Sequence, residues 1–172
     1  MAAEFVGKEL DGKGKIAIVG WAAASATKDR EDGFVDTIEK EYPDIEIVAN
    51  QDVGGSRTTS LETSENLIQS NGEIELFFGC NAECALGAYS ATQSVNRPDI
   101  KVVSVDSDNE VMEAIQAETN LVATVAQNPY EMGYQAMSNA VKYLNGETVE
   151  NIAIDAEVVT KDNVQDIIDR DQ

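Results

Sequence analysis

The side chains in this chain that could do chemistry are mostly acids and amides, with few cations. Of its 172 residues, 32 are Asp or Glu, 12 are Lys or Arg, and none is histidine. Lacking histidine, the chain has no commonest general base and no commonest zinc ligand, which excludes a His-dependent triad or a zinc hydrolase. Cys80 and Cys84 form a C-x-x-x-C pair across a strand end and a helix start, where a thiol can be acidified. Two buried small apolar residues are the favoured reading of that pair. Asp106-Ser107-Asp108-Asn109 opens like a calcium loop but lacks the glycine and the distal glutamate, so no metal is expected. The Gly12-x-Gly14-Lys15 stretch precedes the first strand, so it is neither a P-loop nor a dinucleotide fingerprint.

The remaining candidates follow the ends of apolar runs. After the first run come Gly20, Trp21, a loop of small residues, and then Lys28, Asp29 and Arg30. After the second come Gln51, Asp52, Gly54-Gly55 and Arg57. Asn81 and Glu83 follow the third, Asp106 and Asp108 the fourth, and Gln127 the fifth. Aspartate accepts from two neighbouring hydroxyls, arginine donates a planar fork, and Asn or Gln does both. This is the set needed to hold a neutral polyol such as a sugar. It contains no nucleophile–base pair, so no catalytic residue and no cofactor is expected.

The positioning elements are readable from periodicity. Short β-branched runs at Lys15–Val19, Ile45–Ala49, Ile74–Phe78, Lys101–Val105 and Leu121–Val125 start roughly 20–30 residues apart, and each is followed by a helical pattern. That rhythm predicts repeated βα units, a doubly wound parallel sheet with helices on both faces in a three-layer α/β fold. Helical stripes fall at Phe34, Ile38 and Tyr42 after Asp32-Gly33. Others are Leu61, Ser64 and Ile68 behind Thr59 or Ser60, then Ala85, Ala88, Thr92 and Val95, then Val111, Met112 and Ile115. An opening helix over Ala3–Leu10 closes at Asp11-Gly12. Pro129 opens a helix running to about Leu144, Ile152–Val159 reads as a terminal strand, and the tail beyond Thr160 as a short helix or frayed end. In such a sheet, ligands bind beyond the carboxyl ends of the strands, where the candidates lie.

The net charge of −20 argues against nucleic acid and against an anionic membrane surface as partners. A phosphoacceptor receiver domain shares this sheet but needs Asp and Lys where Asn81 and Gln127 stand. The first residues have no basic segment leading into an apolar one, so no signal peptide is read there.

Six stretches occur together, in order: GKGKIAIV, the Ser25–Phe34 region, CNAECALGA, KVVSVD, LVATVAQNPYEMG and VVTKDNV. On these the chain resembles the ribose-type sugar-binding proteins of bacterial ABC transport, the type I periplasmic binding protein family. Members have two α/β lobes that close on a sugar. The resemblance implies a C-terminal fragment that starts after the first crossover, with the first lobe and any secretion signal outside the chain. Residues 1–127 would be the second lobe, 128–150 a helix belonging to the first, and 151–172 a strand and tail returning to the second. The family's sugar contacts fall on Arg30, Asn81, Asp106 and Gln127. Two positions depart from the pattern: Gly55 replaces an aromatic ring that usually stacks on the sugar, and Ala82 replaces a common Asp. Trp21 is the candidate to supply the missing ring.

The implied function is binding a monosaccharide or similar polyol for delivery to an ABC permease. The protein would be periplasmic or extracellular, and lipid-anchored in a Gram-positive cell. The alternative is a ligand-sensing domain of a LacI-type regulator or an extracellular sensor receptor. Tyr130, Gly133, Ala136, Met137, Ala140, Val141 and Leu144 form an apolar stripe. Without a first lobe, that helix is expected to fold back, to be disordered, or to pair two copies as a dimer.

Overall fold

Each of the five apolar runs becomes a strand; four are largely buried beneath the helices, while the one from the second run, at the sheet edge, buries only Ile45. The computed structural model describes residues 1–170. Asp171 and Gln172, the end of the polar tail, lie outside the described residues. Helix α1 (Ala2–Glu9) leads into β1 (Lys13–Gly20), followed by α2 (Ser25–Glu41), β2 (Asp44–Asp52), α3 (Arg57–Ser70) and β3 (Leu76–Gly79). Then come α4 (Ala82–Ser94), β4 (Lys101–Val105), α5 (Asn109–Gln116), β5 (Leu121–Ala126), α6 (Pro129–Leu144), β6 (Glu157–Thr160) and α7 (Val164–Arg170).

The strands lie in the order β2-β1-β3-β4-β5-β6. The first five are parallel, and β6 pairs antiparallel with β5. The expected doubly wound α/β sheet therefore forms, with an antiparallel edge strand that the periodicity did not reveal. The β1–β2 connection steps in one direction and the next three step in the other. Right-handed crossovers thus put α2 on one face and α3, α4 and α5 on the opposite one. Consistent with this, α1 packs on α2, α3 on α4, and α7 on α5. The face under α2 is anchored by Phe34 and Phe78, whose stacked rings lie 4.0 Å apart. Burying each such ring contributes roughly 1.5–3 kcal/mol. On the other face α4 sits flush on the sheet, because a Cβ at Gly79 would come within 2.4 Å of the Ala85 nitrogen.

Several boundaries differ from expectation, four of them informatively. Helix α2 begins at Ser25 and runs through Gly33, so Lys28, Asp29 and Arg30 are helical and not in a loop. Helix α3 begins at Arg57, because the Ser56 side chain caps it by accepting from Thr59 N. The third strand covers Leu76–Gly79; Ile74 is buried but outside it. In the terminal segment only Glu157–Thr160 finds ladder partners, against Ala123–Ala126, and Ile152 is exposed.

Helix α6 has the predicted bounds, with Asn128 as N-cap and Pro129 in its first turn. It is an ordered helix, and none of its residues is buried. Of the three expected fates, folding back onto the lobe is therefore not what the structure has. No helix among the described residues is long and apolar enough to cross a membrane.

Candidate functional site

Because β1 to β5 are parallel, their carboxyl ends form one rim. Trp21, Asn81, Asp106 and Gln127 follow β1, β3, β4 and β5 respectively. Those four strands are consecutive in the sheet, so the residues span ~14 Å at ordinary strand spacing. Arg30 reaches the rim from the second turn of α2.

Asp106 is the centre of the arrangement. Its Oδ1 accepts from Arg30 Nη1 at 3.0 Å, and its Oδ2 accepts from the Ala82 backbone nitrogen at 3.3 Å. The residue has φ of 100°, in a region where a non-glycine residue is strained and persists only if its surroundings enforce it. Two bonds enforce it here. The Asp106 carbonyl accepts from Thr124 Oγ1 at 2.7 Å, and its nitrogen donates to the Val125 carbonyl at 3.0 Å. Thr124 is fully buried on β5. Sequence reading missed this support, whose only trace is a hydroxyl inside the apolar run LVATVA.

Arg30 Nη1 also donates to the Cys80 carbonyl at 3.1 Å. The guanidinium is thus held by one nitrogen, with Nε and Nη2 unpartnered among the described residues. Asn81 is the N-cap of α4: its Oδ1 accepts from Cys84 N at 2.9 Å. That leaves the two Nδ2 protons for another acceptor. Gln127 makes no side-chain hydrogen bond among the described residues, to the Arg30–Asp106 pair or to any other.

Most of the other rim residues have local partners; Asp29 makes no side-chain hydrogen bond among the described residues, and Gln51 bonds only the neighbouring Asn50 carbonyl. Lys28 pairs with Asp32 at 2.6 Å. The Asp52 carboxylate accepts from Gly54 N, and Asp108 caps α5 through Glu110 N, each at 2.9 Å. Arg57 is held between Glu110, at 2.7 Å, and Glu83, at 3.3 Å. The hydrogen bond to Glu110 raises its affinity for its proton further. The Asp106–Asn109 stretch therefore spends its two carboxylates on Arg30, a backbone amide and a helix cap. Among the described residues no acidic, cysteine or histidine cluster could hold a metal ion.

Trp21 lies against Gly55. An ideal Cβ built on Gly55 would fall 2.7 Å from Trp21 Cε3 and 2.8 Å from Cδ2. Gly55 also has φ of +69°, which glycine adopts without penalty. A side chain at 55 and the indole at 21 thus exclude each other, which joins two observations the sequence reading made separately. The Trp21 carbonyl accepts from Thr27 Oγ1 at 2.5 Å, which fixes the start of the loop. The rim is open: the Arg30 and Asp106 side chains keep 25% and 30% of their surface exposed. It is a polar ledge with a ring at one end.

Comparisons with known proteins agree with this geometry. Residues 1–148 match the family model described as periplasmic binding protein domain. The ribose import binding protein RbsB of Haemophilus influenzae is 32% identical over 163 residues, covering 94% of this chain and 54% of that protein. RbsB of Bacillus subtilis is 34% identical over 151 residues, covering 87% of this chain and 48% of that protein. An ABC transporter solute binding protein from Bacillus halodurans, solved with bound myo-inositol, superposes with a TM-score of 0.88 at 32% identity, over 96% of this chain and 57% of that one. The chain spans about half the length of the curated relatives it matches.

Proposed function

This chain belongs to the periplasmic binding protein domain family, and from that premise we propose that it is the second lobe of a sugar receptor. Arg30, Asn81, Asp106, Gln127 and Trp21 form its half of the cleft. The ligand is a monosaccharide or similar polyol, bound without turnover and passed to an ABC permease from a periplasmic or extracellular position. One observation carries the reading. After local partners are assigned, Arg30, Asn81 and Gln127 keep hydrogen-bonding capacity beside a carboxylate held in a strained backbone, with Asp29 and Gln51 also open at the margins of the rim. That set offers donors and an acceptor to adjacent hydroxyls, and the Trp21 ring offers an apolar face to a sugar's C–H face. Relatives named for ribose and a relative bound to myo-inositol favour such a ligand.

On this reading residues 1–127 are the second lobe, 128–150 carry the helix that packs on the first, and 151–172 return to the lobe formed by 1–127. In solution, with no second lobe present, a second copy of the chain covers the apolar face of α6. Sedimentation velocity tests this: a dimer is expected, and a strict monomer with α6 intact contradicts it.

Half a cleft binds weakly, so the affinity of this chain alone is expected to be weaker than about 1 mM, a binding free energy of about −4 kcal/mol. Trp21 is the only tryptophan, so intrinsic fluorescence reads the rim directly. Titration with D-ribose and myo-inositol should change its emission, and Asp106→Ala should abolish the change. Emission unaltered up to molar sugar overturns the rim assignment. Calorimetric binding at 1 mM or tighter overturns the half-cleft reading.

A further inference from the structure

Directly behind the rim is a pair of groups that sugar binding does not use. Cys80 follows the last residue of β3, and Cys84 is the third residue of α4, with the capping Asn81 between them. Both thiols are fully buried, and their Sγ atoms lie 4.0 Å apart. Cys84 Sγ also faces the Gly20 carbonyl at 3.9 Å.

The backbone of these two residues holds the site. The Cys80 carbonyl accepts from Arg30, and the Cys84 nitrogen donates to Asn81. The Cys84 carbonyl also accepts from the buried Ser60 Oγ at 2.6 Å, which ties the first turn of α4 to α3. Two thiols facing each other across a helix start are thus placed where a covalent bond would join the end of β3 to α4 under Arg30 and Asn81. The present separation exceeds the ~2.05 Å of a disulfide, so forming the bond requires the two side chains to move together.

We infer that Cys80 and Cys84 form a disulfide when the chain folds under oxidising conditions, stapling β3 to α4 beneath the binding rim. This goes beyond the sugar-binding reading and does not depend on it. A periplasmic or extracellular location supplies the environment in which such bonds persist. The chemistry is thiol–disulfide exchange with a small-molecule disulfide as the oxidant. One cysteine thiolate attacks a sulfur of the reagent and expels one thiolate, leaving a mixed disulfide. The other thiolate then attacks the protein sulfur of that mixed disulfide and expels the second. The two cysteines lose two protons and two electrons, and the reagent becomes two thiols. Because both sulfurs are sealed in the folded chain, exchange takes place before the first turn of α4 docks.

The test is to refold the chain in an oxidising glutathione buffer and, separately, in a phosphine reductant. The oxidised sample should be lighter by two hydrogens, yield a linked Cys80–Cys84 peptide and resist alkylation after denaturation. Its Tm should be about 5 °C higher, as for closure of a short loop in a domain of this size. Cys84→Ala should carry one glutathione on Cys80 and show no such rise. The double variant Cys80→Ala/Cys84→Ala should melt alike in both buffers. Two alkylatable thiols in the oxidised sample, cross-links only between chains, or a linked form that melts no higher than the reduced one each overturn the inference. The same mass comparison on protein secreted into the periplasm of an expression host needs no refolding and is decided by the same outcomes.

Discussion

Helices α4 and α6 are of similar length and both carry apolar stripes, yet α4 buries eight of its residues and α6 buries none. The stripe of α4 is made of Ala, Gly, Cys and Leu, which lets it lie directly on the sheet. The stripe of α6 carries Tyr130, Met137 and Leu144, which are 77%, 67% and 83% exposed. The accessible surface of the whole chain, 9253 Å², exceeds the about 8,200 Å² expected of a compact monomer of this mass. A projecting helix accounts for an excess of that kind. The contrast teaches that an amphipathic pattern says which face of a helix needs cover, while what covers it depends on surfaces elsewhere. The proposed reading follows the same division: the lobe carries the core and the sugar rim, and α6 presents a face that needs cover.

The largest effect that could break this contrast comes from the core. Phe78→Ala should cost about 3–5 kcal/mol in urea unfolding, while Met137→Ala on α6 should stay within about 0.5 kcal/mol when measured at concentrations low enough to keep the chain monomeric. Similar losses at the two sites would mean that α6 is packed after all. Hydrogen exchange sharpens the same point: amides of α4 should be protected to near the global unfolding free energy, and those of α6 in the dilute monomer should exchange through local opening. A smaller effect separates the rim from the rest of the lobe. Thr124→Val keeps the shape but leaves the Asp106 carbonyl without its buried donor, at a cost of about 1–2 kcal/mol. It should also weaken the fluorescence response to sugar, although Thr124 is too deep to touch ligand. The smallest effect lies at the opposite end of the sheet. The Arg97 guanidinium holds Asp99 through bonds of 2.8–3.0 Å and lowers its carboxyl below the usual range. A lowered carboxyl stabilises the fold above its unfolded pKa of about 3.9 and loses that contribution as pH falls through the folded value. The pair is exposed, so Asp99→Asn should cost a few tenths of a kcal/mol at neutral pH, and the difference should vanish near pH 2.

The β4 run was legible to the residue, because a buried parallel strand reads as a continuous apolar run with turn residues on both sides. The start of α2 was not, since Gly33 interrupts the helical pattern and only the Phe34–Phe78 stack and Thr27's bonds keep the helix continuous. The short β6 was not legible either, because pairing with β5 selects four residues from a longer alternation. At the site, the types and order of Arg30, Asn81, Asp106 and Gln127 were visible as residues at strand ends and by resemblance. What no sequence pattern carried was the triage among rim residues. Lys28, Arg57 and Asp108 look as able to bind as Arg30 and Asp106 until their ion pairs and caps are seen. The exchange of a ring at 55 for a ring at 21 was visible only as two compositional departures, and became one fact through the close approach of the indole to Gly55.

The central claim is that the strand-end rim is half of a sugar site, and backbone amide NMR tests it most directly. Spectra of the chain titrated with D-ribose and with myo-inositol to high concentration should show shifts confined to Trp21, Gly55, Arg30, Asn81, Asp106 and Gln127 and their neighbours. Those shifts should remain unsaturated through the millimolar range, while α6 and the opposite edge of the sheet stay still. Shifts centred elsewhere, or no shift from either polyol, would contradict the account.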